Sequence, residues 1–281
     1  MTRFRPLLVI TPTLGRSPWL CRTVSSVADF AGEHATHVLV APRESLASLA
    51  SIHPRCVVVE DTSGRGVYPA INAGLAGARD PGWSWATWLN DDDELTPGFT
   101  RHLERALRHD GRSDGAPWSY GRVRLVSESD EDLGGMAVAR SPSDIIPLAQ
   151  SGINPLNQQG MLAPRAWVEA QGPLREDLRI CADVDFWLRA AAEGARFCCS
   201  PEVVATFRLR AGQISGDVSR HRAEFKQVVE SVVPVRRSAP RRLFANLRFR
   251  LGNALVYARR VGRCGFKSGF SLLEQPERKA Y

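Results

Sequence analysis

The stretch W-A-T-W-L-N-D-D-D-E-L-T-P-G-F, residues 85–99, is the most informative in this chain. Trp85 to Leu89 is apolar and aromatic around a β-branched Thr87, the composition of a short buried strand. Asn90, Asp91, Asp92, Asp93 and Glu94 follow without a break. Four consecutive carboxylates repel one another at neutral pH, so a packed core does not hold them easily. A parallel strand delivers its C-terminal end to the rim of an open sheet, where α/β proteins bind ligands. Acids at such a rim suit Mg2+ or Mn2+, hard cations that take oxygen ligands and share them with a substrate phosphate. The competing reading is an acidic loop ahead of a helix, because Thr96-Pro97 is a good helix start and acids favour helix N-termini. The acids alone leave both readings open.

Upstream, apolar runs alternate with helical spacing. Leu7-Leu8-Val9-Ile10-Thr11 reads as a strand buried on both faces, and Leu20, Val24 and Val27 recur at helical intervals. His37–Ala41 and Cys56–Val59 read as further strands, with a short helix over Leu46, Leu49 and Ile52 between them. Tyr68, Ile71, Asn72 and Leu75 predict a helix to about Ala78. Short connections between alternating strands and helices predict an α/β fold with a mostly parallel sheet. Right-handed crossovers would bring the segments Thr11–Arg16, Glu60-Asp61 and Asn90–Asp93 to one rim. Beyond about residue 117 the pattern changes. Trp118–Val126 reads as a strand, 128–135 as a mobile acidic turn, and Asn157–Leu162 as a strand entered through polar residues. Residues 182–192 read as an amphipathic helix with Asp183 and Asp185 in its first turn, and Phe197–Cys199 and Val203–Leu209 as two more strands.

The 281 residues fit one large domain with an appendage, and the apolar content of 43% supports a substantial core. No run approaches the roughly 18–20 apolar residues of a membrane span. The first apolar run, Leu7–Ile10, is too short for a signal peptide. The six cysteines show no metal-ligand spacing, and reduced, mostly buried thiols in a cytoplasmic protein are expected. The net charge of +7 is uneven: residues 217–281 carry fifteen Lys/Arg against five Asp/Glu, a balance of +10, leaving −3 for residues 1–216. The boundary between body and basic tail is placed there. From Arg236 to Arg260 arginines interleave with leucines and aromatics. Such a pattern fits an amphipathic helix on an anionic membrane surface, peripheral at the inner face of the cell membrane, or a helix packed on the body. No nucleic-acid module accompanies the charge, so a nucleic-acid partner is not expected.

Four stretches, V-I-T-P-T-L-G-R (9–16), R-G-V-Y-P-A-I-N-A-G (65–74), W-L-N-D-D-D-E-L-T-P-G (88–98) and A-D-V-D-F-W-L-R (182–189), together resemble the family 2 glycosyltransferases. Y-G-R-V (120–123), Q-Q-G-M-L (158–162) and F-R-L-R-A-G-Q-I-S (207–215) support the likeness, which covers roughly residues 6–216 and is closest to the branch that builds cell-surface polysaccharides. The resemblance implies a GT-A fold and inverting transfer of a sugar from a nucleotide-diphosphate sugar (UDP, dTDP or GDP) to a saccharide or lipid-linked acceptor. It implies Mg2+ or Mn2+ on the diphosphate, with Asp92 as the leading ligand. Asp93 stands beside it as a second ligand, or as a residue that orients the loop or meets acceptor. Asp91 would face ribose or donor sugar, and Asp183 would be the general base. Thr11, Pro12, Thr13 and Arg16 match the nucleotide loop, while Tyr68 and Asn72 match the helix that shapes the donor pocket. Gln158, Gln159, Asp185 and Arg208 stand where acceptor or donor-sugar contacts are expected.

Each position has a plainer alternative. Asp183 could be only a helix N-cap, Thr11–Thr13 only a turn, and Arg208 only a solvated strand residue. The chain also departs from the family pattern. Ala41-Pro42-Arg43 stands where an acid-Gly-Ser turn usually reads the nucleobase, which leaves Glu60 or Asp61 as substitutes; Pro69 replaces a common Asp and Gln158 a common His. Two rival functions remain. A sugar nucleotidyltransferase would need the Gly-rich loop and Lys that grip a triphosphate, and neither follows the first strand. A non-catalytic nucleotide-sugar binding module would bind without turnover.

Overall fold

The computed structural model describes residues 5–78 and 82–270. Strand β1 (Leu7–Pro12) is buried along its whole length, and helix α1 (Leu20–Phe30) follows it. Strand β2 (Ala35–Ala41), helix α2 (Leu46–Ile52), strand β3 (Val57–Glu60), helix α3 (Val67–Gly77) and strand β4 (Trp85–Trp88) complete the alternation. These strands form a sheet in the order β3-β2-β1-β4, all parallel. Ile10 of β1 pairs with Trp88 of β4, so the loops that leave these two strands lie side by side at the C-terminal rim. Fully apolar runs are what a parallel sheet covered on both faces requires.

Strand β5 (Glu94–Leu95), helix α4 (Pro97–Ala106), strand β6 (Trp118–Val126), strand β7 (Asp132–Gly135) and helix α5 (Ile145–Ala149) come next. Strand β8 (Ala163–Pro164) closes the first sheet antiparallel to β4. Helix α6 (Arg165–Gln171), helix α7 (Ala182–Ala192) and strand β9 (Phe197–Arg208) complete the body. A second sheet, ordered β5-β9-β6-β7, has a parallel β6–β9 pair at its centre and antiparallel edges. Helix α7 reaches both sheets through one side chain. Its Phe186 meets Trp88 of the first sheet edge-on at 6.1 Å and Trp118 of the second at 5.5 Å. Aromatic pairs of this kind add about 0.5–1.5 kcal/mol beyond their buried area. They tie α7 to the end of β4, from which the acidic loop follows.

Four sequence expectations change. Residues 128–135 are a β-hairpin arm rather than a mobile turn: β7 pairs with β6, and Asp130, at φ 66°, turns the chain and binds arginines. Asp tolerates that left-handed conformation better than most side chains. Residues 157–162 are not a strand, because Gly160 takes φ +72° and the amides of Gln158 and Gln159 are bonded elsewhere. The two strands expected over 197–209 are one bulged strand, β9, which shifts register around Arg122 of β6. Among the described cysteines, all free, only Cys181 is buried.

The basic tail folds back on the body. Helix α8 (Val218–Val232) packs on α7, helix α9 (Ala239–Gly252) on α5, and helix α10 (Ala254–Phe270) on β7. Asn253, between α9 and α10, exchanges two hydrogen bonds with the backbone of Val138. Arg248 pairs with Asp144. The packed-helix alternative therefore describes one face of the tail.

Candidate active site

Asn90 to Asp93 form a tight turn immediately after β4, closed by the Asp93 N–H donating to the Asn90 carbonyl. Thr13 holds it from the β1 side, donating from Oγ1 to Asp91 Oδ2 at 2.5 Å, and Ser17 Oγ donates to the Asp91 carbonyl at 2.8 Å. Burial raises the Asp91 carboxyl above its ordinary range, against the Thr13 hydrogen bond, which lowers it. Asp92 is buried and receives Arg210 Nε at 2.5 Å. Asn90, Asp91 and Asp92 line a cavity of about 550 Å3 together with Pro12, Tyr68, Gln158, Gln159 and Asp183.

Asp183 reaches that cavity from the first turn of α7. Its Oδ1 accepts the Val184 N–H at 2.7 Å. The Tyr68 hydroxyl lies 3.3 Å from the same oxygen and 2.5 Å from the Ile180 carbonyl. Burial pushes the Asp183 carboxyl up to about 7, with those hydrogen bonds pulling the other way. A carboxylate tuned near neutrality is suited to removing a proton at physiological pH. The Tyr68 hydroxyl is itself held well above its ordinary value by burial, then by the nearby Asp183 charge, so it stays protonated and donates.

The segment before α7 is anchored from the tail. Glu224 of α8 is buried, and its carboxylate accepts from the backbone N–H groups of Arg179, Ile180 and Cys181 at 2.8–3.1 Å. Asn72 clamps the same segment further upstream, exchanging two 2.9 Å hydrogen bonds with the Leu174 backbone. Glu224→Gln should therefore lower stability by about 1–3 kcal/mol, because an amide cannot accept all these donors. Thermal unfolding of the variant checks this; an unchanged midpoint would show that the segment holds without Glu224.

Several expected site residues sit outside the cavity. Asp93 is fully buried and does not line it: Oδ1 accepts the Arg208 N–H at 3.0 Å, and Oδ2 accepts Gln159 Nε2 and Asn90 Nδ2. It orients the loop and leaves Asp91 and Asp92 as the carboxylates of that loop on the cavity. Burial and the neighbouring Asp92 charge hold the Asp93 carboxyl well above its ordinary range. Arg208 is fully buried, not solvated, and its guanidinium is committed to Asp92 O, Ser127 O, Asp130 and Glu94. Asp185 is buried under ion pairs with Arg189 at 2.8 Å and Arg175 at 3.5 Å. Thr11 is buried against His37, and Asn72 is occupied with Leu174. Thr13 acts through Asp91, and Arg16 is exposed on the loop after β1. Glu60 and Asp61 lie at the rim two strands away, where Asp61 caps its own turn through Ser63 and Gly64.

The sequence reading missed Arg210, Glu224 and the cavity wall supplied by Phe249, Tyr257 and Arg260 of α9 and α10. Arg210 stood inside the quoted F-R-L-R stretch, but β9 ends at Arg208, so strand alternation does not assign its direction. For a divalent cation the fit is partial. Asp91, Asp92 and Asn90 present hard oxygen donors to one cavity, and among the described residues no group of three or more His, Cys, Asp or Glu gathers as a metal cluster. That matches the way Mg2+ is held by one or two carboxylates while phosphate and water complete its sphere. Arg210 and a cation would compete for Asp92.

Residues 8–131 match the model of a family described as glycosyl transferase family 2. No curated protein matches the chain significantly. Among solved structures, residues 1–349 of TarS from S. aureus superpose with a TM-score of 0.59 at 13% identity, covering 88% of this chain and 72% of that one. The same TarS fragment in complex with UDP-GlcNAc gives 0.56 at 14% identity, with 96% and 76% covered. Glucosyl-3-phosphoglycerate synthase from Mycobacterium tuberculosis, in complex with Mn2+, UDP and glucosyl-3-phosphoglycerate, gives 0.50 at 12% identity, with 83% and 82% covered. At such identities the superpositions speak for the fold, a GT-A α/β architecture. The family model covers the segment that holds the first sheet and the acidic rim, and the superpositions extend the likeness in fold over most of the chain.

Proposed function

We propose that the chain transfers a sugar, with inversion, from a nucleoside-diphosphate sugar to an acceptor hydroxyl, and that Asp183 is the general base. The observation that carries this is one cavity holding a carboxylate tuned to about 7 on α7 together with the Asp91–Asp92 pair of the β4 rim. Asp183 takes the proton of the acceptor hydroxyl as its oxygen attacks the anomeric carbon, while the bond to the diphosphate breaks. Tyr68 and the Val184 N–H orient the carboxylate for that proton. Asp92 and Asp91 would hold Mg2+ or Mn2+, which when bound offsets charge on the leaving diphosphate. Arg210 lines the same cavity and would add positive charge for the diphosphate once it leaves Asp92. The structural neighbours crystallised with UDP or UDP-GlcNAc favour a uridine diphosphate sugar as donor, and a saccharide or lipid-linked acceptor completes the reaction.

Thermal-shift titration tests the donor half. UDP should raise the unfolding midpoint more than dTDP or GDP, and more with Mn2+ than with EDTA. Ligand at a hundredfold excess over Kd adds about 2.7 kcal/mol to stability. A metal-dependent UDP shift followed by sugar transfer supports the proposal. A shift without turnover on any acceptor favours the binding-module alternative, and no shift with any nucleotide overturns the donor assignment.

A further inference from the structure

The outer side of the tail carries the largest row of exposed apolar side chains among the described residues. Leu243, Phe244, Leu247 and Leu251 of α9 and Leu255 at the start of α10 all stand in solvent, with Phe244 70%, Leu251 68% and Leu255 73% exposed. Val235, just before α9, is exposed as well. On α9 itself, positions 243, 247 and 251 are four apart and share one face with 244. The residues that α9 buries on the body, Ala245 and Phe249, lie on the opposite side of the same helix. This helix is therefore apolar on two sides, and the body covers one of them.

Charge brackets the uncovered side. Residues 235–263 contain nine arginines and no acid. Arg241 borders the apolar row on one side, beside Arg248, which is paired with Asp144 of the body; Arg242 and Arg250 lie on the other, and Arg236 and Arg237 lead into it exposed. A second copy of this surface would meet the same positive charge and be repelled. A nucleic acid would satisfy the arginines but leave the leucines in water. A surface of anionic headgroups over hydrocarbon satisfies both. No described helix is long and apolar enough to cross a membrane, so the geometry is that of a helix lying in the interface.

We infer that the Leu243–Leu255 row and its bordering arginines dock this protein on an anionic lipid bilayer. The inner side of the same helices gives Phe249, Tyr257 and Arg260 to the wall of the candidate active site. A bilayer on the outer row thus lies about one helix diameter, roughly 10 Å, from that cavity. An amphiphilic acceptor held in the bilayer would then need to lift only its polar end to be used. That last step rests on the proposed transferase function, whereas the docking does not.

The test is co-sedimentation of the full chain with vesicles of phosphatidylcholine alone and with one third phosphatidylglycerol, which reads no sugar transfer. Binding should be at least tenfold tighter to the anionic vesicles and should weaken with salt. Leu247→Glu with Leu251→Glu should lower it at least tenfold while leaving the unfolding midpoint unchanged, because both side chains are exposed. Arg241→Glu with Arg250→Glu should lower it similarly. Equal binding to both vesicle types, or none, overturns the inference. So does anionic binding that survives the leucine changes, which would mark a purely electrostatic surface. A concentration-dependent dimer that the leucine changes abolish would assign the row to self-association and overturn it too.

Discussion

Asp183→Asn should lower sugar transfer by about 10²–10⁴-fold, the usual contribution of a general base. The amide occupies the same space, and its oxygen can still accept from the Val184 N–H and the Tyr68 hydroxyl. Donor binding, read by thermal shift, should therefore stay close to wild type. The wild-type rate should itself depend on pH. Asp183 is a base only when ionised, and burial sets its carboxyl at about 7. Below that pH, kcat/KM should fall about tenfold per unit; above it, the rate should level off. Stability should move the other way. A carboxyl raised from 3.8 to about 7 binds its proton more tightly folded than unfolded. Stability is then fully present below about 4, is lost as pH rises through the window, and stays lost above 7. Asp183→Asn removes that penalty, so the variant should be more stable than wild type at pH 8, by roughly 2–4 kcal/mol once the cavity's water is allowed for, and unchanged at pH 4. A variant that turns over like wild type would remove Asp183 as base. One that is inactive without the gain at pH 8 would retain the base and discard the account of its tuning.

How much of this the sequence disclosed follows from the range of the forces involved. The first sheet was legible because its strands are uninterrupted apolar runs separated by short helices, a local pattern. Asp92 and Asp183 were legible as candidates through the resemblance of their stretches to the family motifs; their placement at a predicted strand end and in a predicted first helical turn left an acidic loop and a helix N-cap equally open. The second sheet was only half legible. Its edge strands β5 and β7 are two and four residues long, and β9 looked like two strands because a bulge interrupts its alternation. What could not be read was which neighbour each polar group finds at long range. Asp93 and Asp92 are adjacent and chemically identical, yet one faces inward onto the Arg208 backbone and the other faces Arg210 at the cavity. Glu224 sits in a helix whose sequence shows only an ordinary amphipathic pattern, but its carboxylate organises residues 179–181, more than forty positions away. The tail boundary, drawn at residue 217 on charge, separates segments that share one cavity.

Arg208→Met should be the most destabilising change near the site, at about 3–5 kcal/mol. The guanidinium is fully buried and donates to the Asp92 carbonyl at 3.2 Å, the Ser127 carbonyl at 2.9 Å, Asp130 at 2.8 Å and Glu94 at 2.9 Å. It also lies 5.2 Å above the Trp19 ring. Methionine fills much of the volume but leaves two carbonyls and two carboxylates short of a donor. Removing one member of a buried ionic network costs far more than the network contributes, because the remaining charge is stranded. Arg22 softens the loss, since it also pairs with Glu94 and Asp130, though it is half exposed. The expected value is therefore near 3 kcal/mol, a fall of roughly 5 °C in the unfolding midpoint for a chain of this size. Arg16→Met, on the exposed loop nearby, should shift it by less than about 0.5 kcal/mol. Lysine at 208 should recover little, because one ammonium cannot reach four acceptors spread around a planar fork. The Asp92 carbonyl connects this network to function. With its donor gone, the turn that presents Asp91 and Asp92 loosens, and KM for the donor should rise in the variant even at temperatures where it stays folded. If Arg208→Met melted with wild type, Arg22 alone would be holding the acidic loop, and the donor KM would be expected to respond to Arg22→Met instead.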